Sequence, residues 1–307
     1  MRLNRLDLNL LVALDALLDE KKTTAAAARL SVSQSAISGM LARLRLYFED
    51  DLLVQVGRQM ELTPLGRDLA DPVRQLILQI QATVAIRPSL SIATERRHFR
   101  ITVSDYGVPI LIAPLVRRLQ ELAPFLTIEL RPQIETTGLG LRRGETDLTI
   151  VPDDYLDPDH PHVLLFEDTY SCVVWEGNDA VGDALTLDAF SRCGHIAPHL
   201  GRPGAPTVAE RHLADSKVPR QIAVTTHDFS SAAPLVVGTN LIATMQTRLA
   251  RDSATRLPLR VLAPPVAMPV LRVCMQWHDY QTPDPAHRWL REQLVAVAGE
   301  GQSTGDA

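Results

Sequence analysis

Residues 23–45 read TTAAAARLSVSQSAISGMLARLR. The stretch predicts two short helices joined by a tight polar turn, Ser31-Val32-Ser33. Thr24 is placed to cap the first, Ala25 to Leu30. Ile37, Met40, Leu41 and Leu44 recur at helical spacing and form the buried stripe of the second. A helix that opens with small hydrogen-bonding side chains, with apolar residues behind, suits insertion into the major groove of DNA. Gln34 is the leading base-reading candidate, because its amide can bond adenine N6 and N7 together; the alternative is a solvated glutamine near a helix start. Ser33, Ser35 and Ser38 are candidates for phosphate or base contact, and Ser33 can be the N-cap at the same time.

Upstream, Leu10, Leu11, Leu14, Leu17 and Leu18 recur on one helix face, with Asp7 as its N-cap. Downstream, Leu52-Leu53-Val54 and Met60-Glu61-Leu62 flank a tip at Gly57-Arg58-Gln59, the pattern of a hairpin. Residues 1–63 therefore read as a winged helix-turn-helix with Arg58 on the wing. Arg43, Arg45 and Arg58 are candidate phosphate or minor-groove ligands, each weighed against a merely solvated charge. Thr63-Pro64 is a helix start, and apolar residues from Leu65 to Val84 recur every three or four positions. Residues 64–87 are thus a linker helix, about 33 Å long for 22 residues. Pro72 is expected to kink it, and its apolar stripe needs a partner, most simply a second copy. Ile86 to Arg97 reads as a polar linker.

The chain carries a net charge of −5, which looks wrong for a DNA binder. Its distribution matters more than its sum. From Lys21 to Phe48 there is no Asp or Glu, while Lys21, Lys22, Arg29, Arg43 and Arg45 make a local cluster of positive charge. The flanking Asp15, Asp19, Glu20, Glu49, Asp50 and Asp51 nearly cancel it at long range, so tight binding is expected to need a dimer. No apolar run reaches the length of a membrane span, and residues 1–7 lack the features of a signal peptide. Three scattered cysteines, Cys172, Cys193 and Cys274, fit free thiols in a reducing cytoplasm.

From His98 the pattern changes to alternating strands and helices. Phe99–Val103, Thr127–Arg131 and Leu148–Val151 read as strands, with helices at Pro109–Leu122 and Gly138–Arg143. A second alternating set runs through Tyr170–Trp175, Thr186–Phe190, Gln221–Thr225, Ser230–Val237 and Leu241–Thr244. The plan is α/β with mostly parallel sheets, and its length fits two small sheets with a cleft between them. A final helix, Pro285 to Val297, precedes a tail from Gly299 to Ala307 that is expected to be disordered.

Open α/β sheets bind ligands beyond the carboxyl ends of their strands. That places Ser104, Asp105 and Tyr106, then Pro152 with Asp153, then Pro198 with His199, and finally His227 and Phe229 around the cleft. Ser104 can equally be a helix cap, and His227 a packed interdomain histidine. A His and Phe pair suits an aromatic ligand carrying a hydroxyl, nitro or carboxylate group. Enzyme signatures fail. Pro198 stands between His195 and His199, no Cys pair has zinc spacing, and there is no G-x-S-x-G elbow. Gly138, Gly140 and Gly144 miss the dinucleotide fingerprint by one residue. His160-Pro161-His162 reads as an exposed loop.

Several segments together resemble the LysR-type transcriptional regulators over nearly the whole length. They are Leu6–Leu11, Ala26-Ala27-Ala28-Arg29-Leu30, Ser33–Ser38, Leu41 with Leu44, and Leu62-Thr63-Pro64-Leu65-Gly66. Within that family the chain is similar to the regulators of nodulation genes and of aromatic degradation. The carriers are Leu8–Leu17, Asp50-Asp51-Leu52, Ala70-Asp71-Pro72-Val73, Trp277-His278, Asp284-Pro285 and Trp289-Leu290-Arg291. The resemblance implies a tetramer built from two kinds of dimer contact. It also implies a C-terminal two-subdomain periplasmic-binding-protein-like α/β effector domain over residues 88–307, with a small-molecule effector in its cleft. On that plan subdomain I covers about 97–168 and 267–298, and subdomain II about 169–266. Gly39 departs from the family, which often carries a long polar residue after Ser38; mid-helix glycine costs roughly 1 kcal/mol of propensity.

The expectation is a cytoplasmic, DNA-binding transcription regulator, activator or repressor, and no enzyme. Its partners are double-stranded DNA at a partly palindromic promoter site and itself, with RNA polymerase a further candidate and no membrane. No cofactor is expected beyond a small, aromatic effector. A solute-binding module, a ligand-independent DNA protein and a metabolic enzyme are the rival readings.

Overall fold

The computed structural model describes residues 7–57, 59–85, 91–133, 137–199 and 206–303. The chain divides into two compact units, Met1–Arg87 and Pro88–Ala307.

The first unit is built on a leucine core. Helix α1 (Leu8–Glu20) is capped by Asp7, whose carboxylate accepts from the Asn9 N–H. Leu14, Leu17, Ile37, Leu44, Leu52 and Leu53 are among its fully buried side chains. Helix α2 spans Thr23–Leu30 and starts two residues earlier than expected. Its N-cap is Lys22, which makes no side-chain cap bond, so Thr24 lies inside the first turn and caps nothing. Ser31 ends it in the left-handed region, and helix α3 (Gln34–Phe48) follows with Ser33 as N-cap. Strands β1 (Leu53–Val56) and β2 (Gln59–Leu62) pair antiparallel as the wing.

Helix α4 runs from Pro64 to Ala85 and keeps its helical assignment through Pro72. Thr63 Oγ1 accepts from the Gly66 N–H and donates to Asp50 Oδ1, which ties the start of α4 to the end of α3. Gly66 has a packing reason: a Cβ there would lie 2.5 Å from the Leu52 carbonyl oxygen. Part of the apolar stripe of α4 is used within the chain, since Val73 and Ile77 join the leucine core. Leu76 and Val84 remain exposed. Arg74 on α4 bridges to Asp15 and Asp19 on α1.

The second unit contains two five-stranded sheets. Its elements, in order, are β3 (His98–Val103), α5 (Ala113–Leu122), β4 (Thr127–Pro132), α6 (Thr137–Arg142), β5 (Leu148–Pro152) and β6 (His162–Asp168). Then come β7 (Tyr170–Trp175), α7 (Leu187–Arg192), β8 (Gly194–Pro198), α8 (Val208–Asp215), β9 (Gln221–Thr226), α9 (Ala232–Val236) and β10 (Ile242–Gln246). The unit closes with α10 (Thr247–Ala254), β11 (Leu259–Leu262), β12 (Leu271–Gln276) and α11 (Pro285–Ser303). The strand orders are β4-β3-β5-β12-β6 and β11-β7-β10-β8-β9.

The sheets are mixed, not mostly parallel. In each, two neighbouring pairs run parallel and two antiparallel. The reason is the crossing of the chain between sheets. Only Thr169 separates β6 from β7, so the chain leaves one sheet and enters the other without a helix. It returns between β11 and β12, and β12 inserts between β5 and β6, antiparallel to both. Strands β6, β11 and β12 went unread in the sequence. The expected disorder after Gly299 is also corrected: α11 continues to Ser303 because Val297 and Ala298 are buried and Glu300 pairs with Arg118 at 2.8 Å. Residues 304–307 and 86–90 lie outside the described residues.

Candidate nucleic-acid interface and effector cavity

The start of α3 presents a polar face. Ser33 Oγ accepts from the Ala36 N–H at 3.2 Å and lies 3.0 Å from Ser35 Oγ. Gln34, Ser35, Ser38 and Gly39 are all exposed, while Ile37, Leu41 and Leu44 are buried behind them. A Cβ on Gly39 would meet nothing within 4 Å, so the fold does not require glycine there. The unpaired N–H groups of a helix N-terminus add partial positive charge, which favours phosphate.

The arginines divide by role. Arg43 is largely exposed and stands 4.0 Å from Asp7. Arg45 is engaged structurally: its Nε donates to the Asp51 carbonyl at 2.9 Å and a terminal nitrogen to the Leu53 carbonyl at 2.8 Å. It fastens the wing to α3. Arg58 lies outside the described residues. Arg29 pairs with Asp15 and Asp19, so the local positive cluster is weaker than the sequence count implies. Tertiary packing brings the acids of α1 onto α2 and cancels part of that charge.

Between the two sheets lies a cavity of about 190 Å³. The expected residues Ser104, Tyr106, Pro152 and Phe229 line it. Five expected residues do not: Asp105, Asp153, Pro198, His199 and His227. Asp105 turns away, and its Oδ2 accepts from both the N–H and the Oγ of Ser230 at 2.6 Å, joining the two halves beside the cavity. His199 is held by its own strand end, with Nδ1 3.3 Å from the Ala197 carbonyl. His227 is exposed, so the His and Phe pair is split across the chain surface and the cavity wall. The physical reason is that strand alternation ends at Thr226: its Oγ1 bonds the Asp228 carbonyl and turns the chain, so residues two apart no longer share a face.

Other cavity residues were not anticipated. Phe166, Tyr170, Thr207 and Gln246 line it from β6, β7, the start of α8 and the end of β10. The strand-end rule that found Ser104 would have reached Gln246, had β10 been read to its last residue. Tyr106 donates from its hydroxyl to Asp168 Oδ2 at 2.6 Å, at the crossing between sheets. Burial pushes the Asp168 carboxyl up, against the opposing pull of the Tyr106 bond, and burial likewise pushes the Tyr106 phenol up. On the far rim Arg211 reaches Asp154 at 3.2 Å and the Tyr155 hydroxyl at 3.3 Å.

Histidines elsewhere are structural. His195 is fully buried and bonds the Phe190 carbonyl at 2.6 Å. His160 is also buried, not in an exposed loop as expected, and stacks on His278 with ring centroids 4.4 Å apart. Among the described residues no cluster of three or more His, Cys, Asp or Glu could hold a metal ion, and no helix is long and apolar enough to cross a membrane.

Residues 8–67 match the family described as bacterial regulatory helix-turn-helix protein, lysR family. Residues 93–299 match the LysR substrate binding domain. The chain belongs to the LysR family. It is 38% identical over 298 residues to a protein named Nodulation protein D from Bradyrhizobium sp. (strain ANU 289), covering 97% of this chain and 88% of that one. Among solved structures it is similar to PA0477 from Pseudomonas aeruginosa, described as a probable transcriptional regulator. That likeness has a TM-score of 0.65 and 27% identity, over 96% of this chain and 99% of the other. CbnR, solved in complex with its target DNA, shares the fold at a TM-score of 0.53 and 17% identity, over 95% of this chain and 100% of the other. This LysR-type transcriptional regulator thus joins a DNA-binding helix-turn-helix to a substrate-binding domain, and the families and relatives it matches are regulators, not enzymes.

Proposed function

We propose that this LysR-type regulator reads a partly palindromic promoter site through the exposed start of α3, under control of a small aromatic effector held between the two sheets. The observation that carries the reading is the enclosed cavity, faced by Tyr106, Phe166, Tyr170 and Phe229, in a chain that also exposes Gln34 and Ser38 on one helix face. Aromatic rings and an apolar wall favour an aromatic ligand. Gln34 reads a base, Ser33, Ser35, Ser38, Arg43 and Arg58 hold backbone or base edges, and Arg45 fastens the wing to α3. The protein acts as a dimer that associates further into a tetramer, so that paired recognition helices enter successive major grooves about 34 Å apart. The exposed part of the α4 stripe, Leu76 and Val84, supplies a self-contact. Effector in the cavity favours one arrangement of the effector domains over another, and its differential affinity sets the size of the response. The CbnR complex with DNA and the nodulation-protein relatives support this reading. RNA polymerase is the partner through which activation would act.

The test is selection of binding sites from a random DNA pool with the full-length protein. The native chain should enrich a dyad-symmetric motif, and Gln34→Ala should lose about 1–3 kcal/mol of discrimination at one position per half-site. An identical motif from both proteins would remove Gln34 from base reading.

A further inference from the structure

Gln246 is the last residue of β10 and the N-cap of α10, and it is 3% exposed. Its backbone is secured by pairing with Tyr170. Its side chain makes no cap bond to its own helix. Among the described residues its Oε1 has no hydrogen-bond partner, although the residue lines the cavity. A buried amide oxygen left without a partner costs free energy, which a bound ligand or an ordered water offsets. The strand end that carries it is also held: the next residue, Thr247, donates its N–H to the Thr169 carbonyl, and its hydroxyl lies 2.8 Å from Thr169 Oγ1. Of the hydroxyls lining the cavity, Tyr106 is engaged with Asp168 and Thr207 accepts from the Glu210 N–H, while Ser104 and Tyr170 add further polar groups to the wall.

We propose that Gln246 is the hydrogen-bonding contact that selects the effector, and that the effector is an uncharged aromatic molecule whose hydroxyl meets this amide. The inference rests on the reading of the cavity as the effector site. An amide offers one acceptor and two donors, and its two ends exchange by rotation, so it satisfies a hydroxyl in either sense. The described side chains that line the cavity are uncharged and mostly apolar. A carboxylate buried there would lack a paired cation, whereas a hydroxyl asks for one or two hydrogen bonds. The rings of Phe229 and of Phe166, which carries the Arg248 guanidinium over one face at 4.4 Å, stand in the wall against which an aromatic body packs.

The experiment uses the full-length protein and three matched pairs of probes: phenol and toluene, 2-naphthol and 2-methylnaphthalene, 4-hydroxybiphenyl and 4-methylbiphenyl. 2-Naphthoate serves as the charged comparison. Affinities are measured by calorimetry for the native chain and for Gln246→Met, which keeps length and apolar bulk. In at least one pair the hydroxyl compound should bind the native chain about five- to tenfold more tightly than its methyl partner. In Gln246→Met that preference should vanish while the methyl compound binds as before, which also reports that the variant is folded. 2-Naphthoate should bind the native chain more weakly than 2-naphthol. Hydroxyl preference that survives in Gln246→Met overturns the assignment to Gln246 and leaves the cavity reading intact. Tighter binding of 2-naphthoate than of 2-naphthol overturns the uncharged class. Binding by none of the compounds overturns the aromatic cavity reading itself, and this inference with it.

Discussion

On α3 the polar side chains of Gln34, Ser35 and Ser38 stand in solvent over a core of leucines, whereas in the second unit the amide of Gln246 is buried among aromatic rings. An exposed donor or acceptor is satisfied by water until DNA replaces it, so each such contact contributes modestly and discriminates by geometry. A buried one has no water to fall back on, so the match with a ligand matters more. The same division governs the charged and titratable groups. The first unit holds its arginines and aspartates in partly buried pairs and contains no histidine, while the second carries every histidine of the chain, several fully enclosed. The two units should therefore fail under different insults.

The largest effect is expected from Asp15→Ala. Asp15 is 8% exposed and pairs with Arg74 and Arg29 across α1, α4 and α2. Removing it leaves the buried Arg74 paired with Asp19 and should cost the first unit about 2–3 kcal/mol. Hydrogen exchange at the α1 and α4 amides reads this out; unchanged protection would mean that the leucine core alone holds the unit.

Acid should act on the second unit instead. Burial, with Arg291 alongside, holds the fully enclosed His287 down to about 4, against the pull of its bond to the Asp147 carbonyl. Burial and the neighbouring His160 hold His278 down to about 4 as well. A histidine kept neutral when folded takes a proton on unfolding. Its contribution is complete above the unfolded value near 6.5 and is lost as pH falls from there towards 4. For His287 alone the loss by pH 5 is about 2 kcal/mol. Thermal unfolding should accordingly shift down between pH 7 and pH 5, with the exchange of second-unit amides rising first. A flat profile over that range, or earlier loss in the first unit, would break the contrast.

The smallest effect sharpens the account of α3. Gly39→Ala places a methyl in open space and should raise helix stability by about 1 kcal/mol or less. If the Gly39 backbone lies against DNA, affinity for a selected site falls several-fold as stability rises. Equal or tighter DNA binding by the stabilised variant would show that Gly39 does not approach the duplex.

The first unit was largely legible in the sequence because its signals are local. Asp7 and Ser33 act as caps where the pattern placed them, and Ile37, Leu41 and Leu44 are buried at the spacing that predicted them. Thr24 failed as a cap because α2 begins two residues earlier, and Arg29 and Arg45 proved to be engaged because acids of α1 and carbonyls beside β1 pack onto them. In the second unit, strand ends found Ser104, Tyr106, Pro152 and Phe229 by a general rule of α/β sheets. They missed Gln246 and Phe166, and they placed His227 inside when it is outside.

Periodicity, caps and turn residues are properties of neighbouring positions, so the sequence by itself determined the helix-turn-helix, the wing, the linker helix and the α/β character of the rest. Which strands lie antiparallel, which cations are cancelled and which amide is left unpartnered depend on contacts across many tens of residues. Asp168 meets Tyr106 across 62 positions, and Arg74 meets Asp15 across 59. Only the tertiary structure decides these, because burial, unlike periodicity, is conferred by what packs from elsewhere in the chain.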